Sequence, residues 1–317
     1  MSITTTSNLP APILQSLAPG MLSVPTPNFN YIIPAEKYSM PRQGGTTMRF
    51  LRPVPLQPPV TQLGNTGIEP PSQVATREII DSAMAFYGTS VILNEQVIIQ
   101  DQDPVLSWVT ERLGVAMRQA EDIILRDFLL SSASVYNCRG GVNGDSPTEL
   151  TVRDLSAVAS ALDTANAFKF LSGKQGEDRF GTSPIRSAYF FLTSTEMQPT
   201  FDAMDKFTSS WNYPNQNDVI YSEYGAVLNF RIFTSSESAV QRAASAINGA
   251  DVFNNMAIAR ESYAHIDQDG YSSQLLYRPP IFSGPLALNG TLGVKFAQAQ
   301  VILQETWLRN VRCTLGS

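Results

Sequence analysis

The stretch from Asp103 to Leu130, DPVLSWVTERLGVAMRQAEDIILRDFLL, decides the reading of the fold. Asp103 is a good N-cap residue, and Pro104 suits the first helical position, where no N–H is needed. Apolar residues recur at Val105, Val109, Leu113, Ala116, Ala120, Ile124 and Phe128. These steps of three and four turn one helical face toward a core. At 1.5 Å per residue the helix would run about 40 Å. That is longer than an ordinary globular helix and suits a spine on which separate modules are mounted. Asp122 and Arg126 are expected to pair on its wet face.

Upstream, Thr46–Leu56 (TTMRFLRPVPL) alternates, with Met48 and Phe50 on one face and Arg49 and Leu51 on the other, until Pro53 and Pro55 stop it. Residues 57–75 are polar and turn-rich, and strand-like tracts follow at Thr76–Ile80 and Val91–Ile99. Together they predict a long projecting hairpin and a return strand. A two-stranded ribbon is marginal alone, so support from another chain is expected. Residues 1–45 show no lasting period and read as an extended arm. Its apolar residues Leu22, Val24, Phe29, Tyr31, Ile32 and Ile33 require burial on some partner surface.

Downstream, Gly140, Gly141 and Gly144 mark a turn before a helix expected over Val152–Phe170, capped by Thr151 or by Thr148. Ser187–Thr193 reads as a buried strand, Glu196–Phe207 as a helix, and Ile220–Thr234 as a strand pair turning near Gly225. Ala239–Ile247 is expected helical, Val252–Ala264 one or two strands, 266–290 a loop, and Leu292–Thr314 closing strands beside the long helix. Helices and strands mixed without regular alternation give an α+β class.

Composition narrows the function. A net charge of −6 with no basic run argues against a dedicated nucleic-acid binder. Charged residues at 16% are sparse for a monomer's surface, which fits a chain lying against neighbours. Cys138 and Cys313 are the two cysteines, far apart and without nearby histidine, so two free thiols in a reducing cytoplasm are expected rather than a zinc site or a disulfide framework. The first twenty residues lack a basic segment followed by an apolar core, so no signal peptide is expected. The sequon at Asn289-Gly290-Thr291 then carries no meaning.

Catalytic patterns are sparse. His265 is the single histidine and has no nucleophile context, so a structural or surface role is expected. Arg139–Gly144 has the glycines of a phosphate loop without its lysine and reads as a turn. Glu121 with Asp122, and Glu196 with Asp202, read as solvated or interface charges. Tyr189, Phe190 and Phe191 read as core, and Trp211 and Tyr213 as possible interface anchors. No catalytic site, metal or cofactor is expected.

The ordered series of short motifs resembles the major capsid proteins of N-four-like tailed phages, which share the Hong Kong 97 coat fold. It comprises Met40–Phe50, Thr66-Gly67-Ile68, Tyr87-Gly88 before Val91-Ile92-Leu93, Asp103-Pro104 with Gln119-Ala120 and Asp127, Phe190-Phe191-Leu192, Glu223-Tyr224-Gly225 before Phe230-Arg231-Ile232, and Gly293–Phe296 with Ala299 and Ile302-Leu303. The resemblance spans about residues 36–314. It implies an N-terminal arm at 1–45, an extended loop with its return strand at 46–100, a peripheral domain with the spine helix at 101–150, an axial domain at 151–264 and closing peripheral strands at 265–317. It also implies pentamers and hexamers of an icosahedral shell that encloses double-stranded DNA, with scaffolding, portal and cement proteins as partners. No membrane is involved; the protein would sit in the virion and, during assembly, in the host cytoplasm. Contacts between subunits are expected at Phe29, Tyr31, Ile33, Met48, Phe50, Arg52, Leu63 and Ile68. No lysine lies between Lys37 and Lys169, so the lysine–asparagine cross-link of some relatives is not expected from the extended loop. The alternatives are an encapsulin-type compartment subunit, a hydrolase using His265 or the Glu196 and Asp202 region, and a virion carbohydrate- or receptor-binding module.

Overall fold

The computed structural model describes residues 26–60, 72–100, 105–170, 187–213, 219–242, 250–271, 273–280 and 288–316. The strands are β1 (Glu36–Met40), β2 (Thr47–Pro53), β3 (Arg77–Ala83), β4 (Ala85–Asn94), β5 (Ser134–Asn137), β6 (Tyr189–Ser194), β7 (Phe207–Ser209), β8 (Glu223–Val227), β9 (Phe230–Ser235), β10 (Val240–Gln241), β11 (Val252–Ile258), β12 (Tyr263–Gln268), β13 (Gln274–Arg278), β14 (Asn289–Ile302) and β15 (Leu308–Cys313). The helices are α1 (Glu95–Gln100), α2 (Val105–Ser132), α3 (Val152–Thr164) and α4 (Gln198–Asp202). Among the described residues the strands form three sheets. The smaller has the order β1-β12-β14-β13, with β4 on the other edge of β14. The larger runs β5-β15-β11-β6-β9-β8-β7, with β10 on β11, and β2 and β3 make a separate ribbon. The α+β class stands.

Helix α2 joins the two sheets. Val105, Val109, Leu113 and Met117 pack with Leu93, Leu292, Val294 and Phe296 of the smaller sheet. Two turns further on, Leu125 and Leu129 pack with Phe190, Leu192, Phe233, Met256 and Ile258 of the larger. The buried stripe therefore steps by four through Met117, Glu121, Leu125 and Leu129, whereas the sequence reading slipped one residue at Ala116, which is exposed. The slip has a physical source: the face holds two buried acids, Glu121 and Asp122, which a hydrophobic pattern assigns to water. Asp122 does not pair with Arg126 on a wet face. Arg126 instead reaches Asp127 and the Glu237 carbonyl. The expected cap at Asp103-Pro104 lies outside the described residues.

The larger sheet is covered on both faces. Parity sorts its side chains: Tyr189, Phe191, Phe230, Ile232 and Phe253 meet Leu155, Val158 and Leu162 of α3, while the alternate positions meet α2. Helix α3 begins where Thr151 predicts, with a complete capping box between Thr151 and Asp154. It ends at Thr164 rather than Phe170, because Asn166 takes a left-handed conformation (φ 52°).

Other boundaries also move. Val97–Ile99 lies in helix α1, nucleated by the Gln96 N–H donating to Asn94 Oδ1 at 2.9 Å. The helix expected over Glu196–Phe207 is one short 3-10 turn plus α4, and β7 takes its end. The β8–β9 reversal falls at Leu228-Asn229, between the paired Val227 and Phe230. Gly225 is instead required by close packing, since a Cβ there would lie 2.6 Å from the Phe207 ring. The described start of Ala239–Ile247 is strand β10, and 243–249 lie outside the described residues. Part of the expected 266–290 loop is strand β13. Strand β15 closes the chain beside the long helix as expected, with Leu308 in one cluster with Leu125 and Leu129 of α2, and it runs between β5 and β11 in the larger sheet.

Candidate assembly surface

The segment 77–94 crosses from one structure to another. Its first half, β3, pairs antiparallel with β2; its second half, β4, pairs with β14. Met84 marks the junction, its N–H donating to the Thr46 carbonyl at 2.9 Å. The ribbon's strand alternation then gives it two unlike faces.

One face lies on its own chain. Met48, Phe50, Ile80 and Met84 pack against Met40, Ala264, Ile266, Ala299 and Val301. Phe50 meets the Tyr38 ring edge-on at 5.1 Å, and Ser82 Oγ donates to the Gln300 carbonyl at 2.9 Å. The Arg52 guanidinium pairs with Glu78 and donates to the Leu303 carbonyl at 2.9 Å. Met48, Phe50 and Arg52, expected at subunit contacts, thus spend this face on their own sheet.

The other face is open. Leu51 and Ile79 are directly paired in register and are 54% and 57% exposed. The bidentate Arg49–Asp81 pair, at 2.8 and 3.0 Å, stands beside them, and the Arg49 guanidinium holds the Asp81 carboxyl below its usual range. Past Pro53 the ribbon continues by Val54 N–H donating to the Thr76 carbonyl, and by the Gln57 N–H donating to Gln73 Oε1 and Gln73 Nε2 to the Gln57 carbonyl, with Leu56, Val60 and Val74 exposed. Leu63 and Ile68 lie outside the described residues.

Of the expected arm, Leu22 and Val24 lie outside the described residues, and the described part lies on its own chain. Tyr31, expected at a contact between subunits, has no exposed surface and sits in the cluster with Leu125, Leu129 and Tyr263 of its own chain. Its N–H donates to Asp122 Oδ1 at 2.9 Å, and its carbonyl accepts from the Tyr263 hydroxyl at 2.6 Å. Asn30 Nδ2 donates to the Thr234 carbonyl at 2.9 Å, and Ser235 Oγ to the Asn28 carbonyl at 2.7 Å. Strand β1 then runs parallel to β12. Burial pushes the Asp122 carboxyl up to about 6, against the downward pull of the Tyr31, Ile32 and Asn30 N–H groups. Residues 28–40 are therefore bound to their own chain. Within them Phe29 is half-buried and Ile33 is exposed.

The catalytic candidates are dispersed. Glu196 is held by Arg242 and Asp202 by the Tyr224 hydroxyl, both at the larger sheet, whereas His265 is buried in the smaller sheet against Gln298 at 3.0 Å. The glycine turn closes on the chain's own anion: the N–H groups of Arg139 and Gly141 donate to Asp154 Oδ1 at 3.1 and 2.7 Å. Trp211 is exposed, but Tyr213 is buried and donates to Glu223 at 3.1 Å. Among the described residues no group of three potential ligands could hold a metal, and no helix is long and apolar enough to cross a membrane.

Against solved structures the chain aligns nearly end to end with chains of capsid structures, among them the following three. The capsid of Ralstonia phage GP4 gives a TM-score of 0.66 at 11% identity, over 99% of both chains. The capsid of cyanophage P-SCSP1u gives 0.64 at 10%, over 96% of this chain and 94% of that one. The capsid of a native GTA particle gives 0.60 at 7%, over 95% of both. This chain has a phage-capsid fold. No family model and no curated protein matches the sequence.

Two features of this capsid-like chain escaped the sequence reading. The Asp122 latch joins residues far apart in sequence, and no local pattern signals it. The Leu51–Ile79 pair was half visible, since Leu51 was placed on the face opposite Phe50, but its partner follows only from the register.

Proposed function

We propose that this chain is a major capsid protein of the Hong Kong 97 type, self-assembling into pentamers and hexamers of an icosahedral shell around the double-stranded DNA of a tailed phage. The observation that carries the reading is the alignment with capsid chains over almost the full length of both partners. In this reading the smaller sheet with the first half of α2 is the peripheral domain, and the larger sheet with α3 is the axial domain. The ribbon is the extended loop. Its outer face, Leu51 with Ile79, lies on a neighbouring copy together with Ile33, and closed symmetry hides surface that one chain leaves wet. The shell holds DNA by enclosure, consistent with the net charge of −6. Scaffolding, portal and cement proteins would be its partners, the host cytoplasm the place of assembly and the virion its destination. The chain would act as a structural subunit, not an enzyme.

Negative-stain electron microscopy of the purified full-length protein is expected to show capsomers or closed shells. A monodisperse monomer across salt, pH and crowding conditions would overturn the proposal.

A further inference from the structure

We propose that Cys138 and Cys313 are a pre-registered thiol pair, a latent disulfide site that rivets strand β15 to the segment following β5 when the protein meets a small oxidant. Strands β5 and β15 are parallel, with Ser134 opposite Arg309 and Asn137 opposite Arg312. One residue further brings Cys138 opposite Cys313, and the Cys138 N–H continues the ladder by donating to the Arg312 carbonyl at 2.9 Å. In-register partners on parallel strands point to the same side of a sheet. Both cysteines accordingly lie in one cluster, under α3, with no exposed surface. Neighbouring strands stand about 4.8 Å apart, inside the range of roughly 4.4–6.8 Å between Cα atoms that a disulfide spans.

Both thiols are free and buried in the structure, and burial disfavours their thiolate forms. It pushes the Cys313 thiol up to about 12 and raises that of Cys138 further still. The two sulfurs are not equivalent. Asn255 Nδ2 donates to Cys313 Sγ at 3.1 Å, which favours its thiolate, so Cys313 reacts first. With hydrogen peroxide the Cys313 thiolate takes one peroxide oxygen and expels hydroxide, becoming a sulfenic acid. Cys138 sulfur then attacks the sulfenic sulfur; the S–O bond breaks, and the departing hydroxide leaves as water with the Cys138 proton. In sum, two thiols and one peroxide give one disulfide and two waters. Strand β15 lies between β5 and β11, so the bridge would lock an internal strand of the larger sheet. This inference does not depend on the assembly reading, and its failure leaves that reading standing.

The test treats the folded full-length protein with hydrogen peroxide, then counts thiols and maps peptides without reduction. The expected result is loss of both thiols, a peptide linking Cys138 to Cys313, faster migration on a non-reducing denaturing gel and a melting temperature raised by ~5 °C or more. Cys313→Ala should abolish the linked peptide. Because buried thiols can resist attack, a second arm refolds the reduced chain in a glutathione redox buffer, where native geometry selects the pair. A dominant Cys138–Cys313 bridge there supports the proposal. Mixed glutathione disulfides or chain-to-chain bridges in that arm would overturn it, as would sulfinic acids in place of the bridge in the first.

Discussion

Strands β6 and β2, YFFLTS and TMRFLRP, are similar in length and both rich in bulky side chains, yet they meet opposite fates. Every residue of β6 is buried, with α3 on one side and α2 on the other. Strand β2 alternates between half-buried and exposed, because its own chain supplies one covering layer only. The difference teaches where the molecule is finished by itself and where it is not. The larger sheet has both faces closed, while the ribbon keeps an apolar cross-strand pair in water, which a lone soluble domain has little reason to build.

The contrast can be broken by mutation. Phe191 packs against Phe201 and Phe230 at ring distances of 6.0 and 5.7 Å. Phe191→Ala should destabilise the monomer by about 3–5 kcal/mol in urea unfolding; a loss as small as that of Leu51→Ala would erase the distinction. The arm sits between these extremes. Asp122→Ala removes the acceptor of the buried Tyr31 N–H and should cost about 1–3 kcal/mol, with faster hydrogen exchange at Tyr31 and Ile32. Thr151→Ala removes the cap of α3 and should cost about 1 kcal/mol, read from the same unfolding curves.

Asp122 also predicts a pH dependence. Burial raises its carboxyl to about 6 in the folded chain, above the value near 4 of an unfolded aspartate. The folded state therefore holds the proton more tightly, and this stabilising contribution is complete below about pH 4 and lost as pH rises through about 6. Relative to Asp122→Asn, the wild-type urea midpoint should fall between those two pH values. A constant gap would mean that the carboxyl is not buried beneath the arm.

These regions also differ in how legible they were. The spine helix, the buried strand β6, the capping Thr151 and the alternating β2 follow from local pattern, because each is dictated by residues within a few positions. The capture of Tyr31 does not. It depends on Asp122, and a buried acid looks like a wet one until its N–H partners arrive from the other end of the chain. The helix expected near Ala239 was overruled in its described part by pairing of Val240 with Phe253, a long-range contact that propensity cannot register. Of the proposed contacts, Met48 and Phe50 carry the strand's alternation, and their half-buried face packs on the chain's own sheet: alternation divides a strand into two faces without saying which one the chain keeps for itself.

The central claim is that the open face of the ribbon is completed by sister copies. Sedimentation velocity of wild type beside Leu51→Asp and Ile79→Asp, with melting curves on the same samples, tests it most directly. The account predicts large particles for wild type and slow-sedimenting subunits for both variants, whose monomer stability stays within ~0.5 kcal/mol. Variants that assemble as wild type does, or a wild-type chain that sediments only as a monomer, would contradict it.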